Sequence, residues 1–151
     1  MDALPAEPPP QWLPIAARWC VSAARCIDLE VARSADQQRL GLMQRPALPP
    51  LRGMWFPFAN PQPQRFWMFN TLAPLDMIFV RDGRVHDLVR SVPACASLPC
   101  RSYSADADGN GRADFIDAVI EIGAGEAQRL GIGVGDPVRI ESLEASGLEE
   151  P

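Results

Sequence analysis

The chain has 151 residues, a formal net charge of −5, 16 prolines and four cysteines, which fits one domain burying roughly two-thirds of its unfolded surface without metal or disulfide staples. All 14 basic residues are Arg and there is one histidine, His86, so lysine Schiff bases, the Walker phosphate loop and two-histidine zinc motifs are excluded. The acidic balance, with a pI near 4.8, argues against a nucleic-acid surface, which needs a basic field.

The first 14 residues hold five prolines and two acids, the composition of an extended, disordered segment, and residues 1–24 are read as lying outside the domain. The following apolar stretch is interrupted by Arg18 and preceded by acids, the opposite of a secretory signal. No apolar run reaches the ~18 residues a membrane helix needs. From Cys26 to Val31 apolar and polar residues alternate, which predicts a strand with Ile27, Leu29 and Val31 on one face. Ser34 followed three residues later by Gln37 is a capping box, opening a short helix to about Met43 that Pro46, Pro49 and Pro50 terminate.

The runs 53–58 (GMWFPF) and 65–69 (RFWMF) are dense enough in aromatics and Met to be strands buried on both faces. Pro57 lacks a ladder donor and places the first of them at an edge or a bulge. Asp82-Gly83 between two apolar runs is the signal of a tight β-hairpin. Ile116, Ala118, Ile120 and Ile122 alternate as the core face of another strand. A helical turn over 126–130 ends at Gly131, and residues 138–141 make a last strand before an acidic tail, 143–151. Short strands with two brief helices predict a mainly-β fold, one compact sandwich- or barrel-like domain over residues 25–142.

Cys95 and Cys100 lie in a short proline-bracketed loop, where a bridge and free thiols are both open. Cys20 and Cys26 have the wrong spacing for a four-cysteine zinc site, and their role stays open. Counting twelve residues from Asp106 puts Asp106, Asp108, Asn110, the Arg112 carbonyl, Asp114 and Asp117 at calcium-ligand positions, with Gly111 at the sharp turn. The competing reading is a solvated acidic turn. Position 12 is Asp where Glu is usual, which shortens the arm that would clasp Ca2+. His86 and its neighbour Asp87 should point to opposite faces of a strand, which argues against an acid–base pair.

Trp67, Met68, Asn70 and Thr71, with Asp76 shortly after, mix aromatic bulk and small polar groups, as a ligand pocket does. The same residues serve equally well as core and turn, with Asp76 capping a turn or anchoring Arg45. Gly-rich 131–136 precedes a strand instead of opening a helix, so it is not a dinucleotide loop.

The motifs GLMQR (41–45), GMWFPF (53–58), FWMFNT (66–71), PLDMIF (74–79), VPACASLPC (92–100), VIEIGAG (119–125) and GIGVGD (131–136) occur in this order. Together they resemble the bacterial and archaeal family called domain of unknown function 192, over about residues 26–141. The resemblance implies a single β-rich, sandwich-like domain and no established activity, cofactor or substrate, so no catalytic residue carries over. Its characteristic positions fall here on Gly41, Met43, Arg45, Gly53, Met54 and Trp67, and on Met68, Asn70, Thr71, Asp76 and Glu121. Phe69 departs from the pattern, and the acidic loop at 104–115 has the look of an insertion. Many members are exported, which favours an oxidising compartment and a Cys95–Cys100 bridge.

With few proton-shuttling groups available, the function expected is a non-catalytic β module that binds a small molecule or a protein, with a structural calcium loop. Two alternatives stand beside it. One is a hydrolase using Asp76 and Glu121 in glycoside-like chemistry, and the other is a purely structural or interaction domain.

Overall fold

A computed structural model describes residues 7–144, and folded structure begins well before residue 25. Strand β1 (Ile15–Ser22) turns at Ala23-Ala24 into β2 (Arg25–Val31), with Ala17 and Trp19 buried. This corrects the N-terminal boundary. Arg18, which looked like an interruption, sits opposite Asp28 on the outer face and pairs with it at 3.1 Å. Alternation tolerates a charge at every second position, so one Arg does not break a strand. Upstream, residues 11–13 lie against the domain: the Gln11 amide donates to the Gln37 and Gly41 carbonyls, and the Leu13 N–H donates to Glu30. The acidic tail expected at 143–151 lies almost wholly outside the described residues.

Helix α1 (Ala35–Leu40) starts at the predicted capping box. Ser34 accepts from the Gln37 N–H while Gln37 accepts from the Ser34 N–H, and the helix ends at Gly41, two residues short of Met43. The helix carries the chain across to β3 (Arg52–Pro63), which runs parallel to β2. Gly53 is required there. A methyl group on its Cα would come within 2.7 Å of the Glu121 carbonyl oxygen and 2.9 Å of Ile122 Cγ2. Pro57 falls where the register with the neighbouring strand shifts, beyond the last residue of β3 paired to β2, so its missing N–H breaks no ladder. By contrast 65–69 is no two-faced strand. Only β4 (Phe66–Trp67) is extended, paired to β7 (Ser102–Tyr103), with Trp67 exposed and Met68 buried.

Strands β5 (Leu75–Arg81) and β6 (Arg84–Val92) form the predicted hairpin, with Asp82 at φ 52° and Gly83 at φ 71°. Strand β8 (Phe115–Gly123) lies between β3 and β5, α2 (Glu126–Leu130) ends at Gly131 in left-handed geometry, and β9 (Ile140–Ser142) pairs with β1. The main sheet is mixed, in the order β6-β5-β8-β3-β2-β1-β9, with β4-β7 as a separate ribbon.

The barrel alternative does not hold. Residues 135–138 hydrogen-bond back to the start of β6, but the contact is a single bridge at Pro137, which has no N–H to extend a ladder. The sheet curls without closing.

Both faces of the central strands are covered. Ile27, Leu29, Ile78, Ile120 and Ile122 pack on one face with α2, and Met54, Phe56, Met77, Phe79 and Val119 pack on the other. Alternation along 116–122 therefore marks four of the six buried positions, because Val119 and Glu121 are buried as well. Ile116 packs with the Val119 cluster, apart from Ala118, Ile120 and Ile122.

Candidate functional site

A cavity of about 360 Å³ opens on the face of the sheet that carries Met54 and Met77. Its walls come from α1 and the turn after it (Gln38 to Met43), from Phe56 of β3, and from residues 64–67. Thr71 and Glu121 supply further lining. Phe56 and Phe66 meet edge to face with centroids 5.2 Å apart. Trp67, 46% exposed, also lines the cavity and leans on Phe69.

The turn between Gly41 and Arg45 is held rigidly. Arg45 is buried and forks onto both oxygens of Glu30, at 2.7 and 2.8 Å. Its guanidinium carbon lies 3.9 Å from the centre of the Trp12 ring, so residues 11–13 and this wall brace each other. Arg45 is anchored by Glu30, and Asp76 has no part in it. At Gly41, with φ 47°, a methyl group would touch the Phe56 ring at 3.4 Å, so glycine admits the wall to van der Waals distance of the aromatic pair.

Glu121 is the unusual member. It is 5% exposed, its Cα partners are Met54 and Met77, and none of the described residues donates a hydrogen bond to its carboxyl. Burial among apolar neighbours pushes that carboxyl up to about 8, so at neutral pH it holds its proton. Thr71 is also buried, and its hydroxyl has no partner among the described residues. The other polar linings are engaged: the Gln38 amide donates to the Ala32 and Pro57 carbonyls, and Arg39 lies 3.5 Å from Asp36. Arg65 is exposed and has no ion pair among the described residues.

The predicted ligand residues divide. Trp67 and Thr71 line the cavity, whereas Met68 packs in the core beneath it. Asn70, at φ 62°, makes a turn whose N–H donates to Cys95 and whose carbonyl accepts from Gln44. Asp76 is not part of the site. It is fully buried on the opposite face and accepts from the N–H groups of Ser91, Gly125 and Ala127 at 2.8, 3.1 and 2.9 Å. Asp76 and Glu121 therefore do not flank a common substrate, which removes the geometric basis of a two-carboxylate hydrolase. Phe56, Phe66, Arg39 and Arg65 were not singled out from the sequence. For Glu121 a signal existed: a lone acid inside the apolar run VIEIG.

In the acidic loop, carboxylate oxygens of Asp106, Asp108 and Asp114 come within 4.8 Å of one another. Asp106 accepts from the Asn110 and Gly111 N–H groups, and Asn110 accepts from the Arg112 N–H. Asp117 lies outside this group, its carboxylate accepting from the Asp82 N–H at 2.6 Å in the β5–β6 turn. His86 Nε2 is 2.9 Å from Asp114 and Asp87 accepts from the Asp106 N–H, so both neighbours reach the acidic loop, at a register shift of β6 against β5, and each is engaged there and not with the other. The Ala107 N–H and His86 hold the Asp114 carboxyl below the usual carboxylate range. Both cysteine pairs, Cys20–Cys26 and Cys95–Cys100, are at disulfide-bonding distance.

The family model for DUF192, described as "Uncharacterized ACR", matches residues 18–140. The chain belongs to the DUF192 family. Two solved structures resemble it. A protein of unknown function from Novosphingobium aromaticivorans DSM 12444 is 33% identical, with a TM-score of 0.69, covering 91% of this chain and 93% of that one. A Sinorhizobium meliloti 1021 protein described as a "putative transcription regulator" is 28% identical, with a TM-score of 0.65, covering 84% and 92%. No curated protein matches the chain. Among the DUF192 positions named from the sequence, Gly41, Met43, Trp67, Thr71 and Glu121 all line the cavity, and Arg45 and Gly53 brace its wall and floor. No helix among the described residues is long and apolar enough to cross a membrane.

Proposed function

We propose that this DUF192 domain is a non-catalytic binding module that holds a small molecule in the cavity between α1, β4 and the central sheet. One observation carries the reading: Glu121, buried and without a donor among the described residues, lines an open cavity. Its carboxyl oxygens are open to that cavity and not sealed away from it, so a ligand that enters can supply the hydrogen-bond partner that no described residue provides. The size and mixed lining suit the role, since small-molecule sites are concave, largely apolar and carry a few convergent polar groups. Among the described residues no nucleophile–base pair lines the cavity with Glu121, which favours holding over turnover. The two cysteine bridges favour an oxidising compartment.

The test is a nitrogen-15 NMR screen of the whole chain against a mixed fragment set. Amide shifts that saturate and cluster at Trp67, Thr71 and Glu121, and weaken in Trp67→Ala, are expected. Shifts that map elsewhere, or none at all, would refute the reading.

A further inference from the structure

The cavity is chemically polarised, and its polarity points to a class of ligand. One side offers the Glu121 carboxyl and the Thr71 hydroxyl, both buried and free of described partners. The walls between are aromatic and aliphatic, including Phe56, Phe66 and Trp67. Arg65, exposed and without an ion pair among the described residues, lies on the solvent side. A neutral polar ligand could be served by Gln as well as by Glu. The distinctive ability of a buried carboxyl is to become an anion opposite a cation, and aromatic faces are the other group that attracts an organic cation. A simple cation would still be repelled on entry by Arg39 and Arg65, the remaining charged residues of the lining. A carboxylate at the far end of the same molecule turns that repulsion into attraction.

We propose that the cavity takes a small zwitterion, with an organic ammonium group against Glu121 and Thr71, an apolar body over the aromatic wall, and a carboxylate toward Arg65. This rests on the small-ligand reading above and specifies its chemistry. Burial keeps the empty carboxyl protonated at neutral pH, so the ammonium displaces that proton. The O–H bond of Glu121 breaks, its electron pair stays on the carboxylate, the ion pair forms and one proton passes to the buffer. The other charged groups of the cavity lining are Arg39 from α1 and Arg65 from the segment before β4, and Thr71 is the buried hydroxyl that lines it with Glu121. Its strand neighbours, Met54 and Met77, are neutral.

The experiment titrates the whole chain with 4-aminobutyrate, 5-aminopentanoate and 6-aminohexanoate, with hexanoate lacking the ammonium and hexylamine lacking the carboxylate. Calorimetry in buffers of different ionisation enthalpy reads proton release, and NMR reads the location. At least one amino acid of the series should bind about tenfold or more tightly than hexanoate, as a charge-assisted hydrogen bond to a buried group implies. It should release a proton near pH 7 and lose about tenfold in Glu121→Gln, with a smaller loss in Thr71→Val. Hexanoate binding as tightly as the amino acids, or affinity for the amino acids unchanged in Glu121→Gln, overturns the proposal. If hexanoate alone shifts Trp67 and Thr71, the ammonium contact falls, and if hexylamine binds as tightly as the amino acids, the carboxylate contact falls; either result overturns the zwitterion while the cavity reading stands. If no probe or fragment shifts them, both fall.

Discussion

Asp76 and Glu121 sit one register step apart on adjacent strands, with Asp76 opposite Ile122 and Glu121 opposite Met77, yet they occupy opposite faces of the sheet and opposite electrostatic situations. Three backbone N–H groups converge on Asp76. None of the described residues donates to Glu121. The first carboxylate is part of the scaffold, and the second lines the cavity with no donor among the described residues.

The pH dependence of stability follows from Glu121. Burial pushes its carboxyl up from the ordinary 4.5 to about 8, so between those pH values the folded chain binds a proton that the unfolded chain has lost. The stability it contributes is complete below the unfolded value and is lost as pH rises toward 8. Unfolding free energy should therefore fall by up to about 1.4 kcal/mol per pH unit across that window. Glu121→Gln should remove this slope and be the more stable protein at pH 8. Urea unfolding of both at pH 5 and pH 8 checks it, and parallel pH profiles would contradict the assignment.

Asp76→Ala should cost stability without touching the cavity. The change strands three N–H groups, two of them in the turn that enters α2, and each unmet buried donor costs about 1–3 kcal/mol. A loss of about 3 kcal/mol or more is expected in urea unfolding, with ligand affinity of the remaining folded protein unchanged. A loss below about 1 kcal/mol would mean that the capping geometry is not what holds this corner.

Arg45 and Glu30 form the most deeply buried ion pair among the described residues. Removing one partner leaves a buried charge, so Arg45→Met should cost about 3–5 kcal/mol. It should also free residues 11–13, because Trp12 stacks on the guanidinium and Leu13 donates to Glu30. Limited proteolysis is the readout: earlier cleavage near Trp12 than in the parent chain is expected, and an unchanged cleavage pattern would show that the segment is held by something else.

Gly53→Ala tests how tightly β3 is wedged between β8 and β2. The added methyl meets backbone oxygen at 2.7 Å and the Leu29 side chain at 3.2 Å, and backbone cannot step aside cheaply. Overpacking of this kind costs about 1–3 kcal/mol, read as a lowered thermal midpoint. A neutral result would mean that the strands can separate locally at no cost.

How much could be read in advance depended on how far each decision reaches along the chain. The α1 capping box, the Asp82-Gly83 hairpin, the Gly131 helix end and the bulge at Pro57 are settled by residues within a few positions of one another. Backbone geometry and nearby side chains are enough to specify them, and all four were legible. The placement of β1 was obscured by composition, because prolines and one Arg outweighed an alternation that needed only one apolar face. Period-two reasoning presumes a single buried face and fails for Val119 and Glu121, where β8 is covered on both sides.

Which carboxylate is capped and which is left free, and whether Asp117 joins the acidic loop or the hairpin turn, depend on segments far apart in the chain. Composition and periodicity were enough to establish a β-rich domain with a core, two short helices and a tight hairpin. Only the packed sheet assigned Asp76 to the α2 corner and Glu121 to the cavity. The pleat sends neighbouring side chains to opposite faces, and what awaits each of them is set by elements brought there from elsewhere.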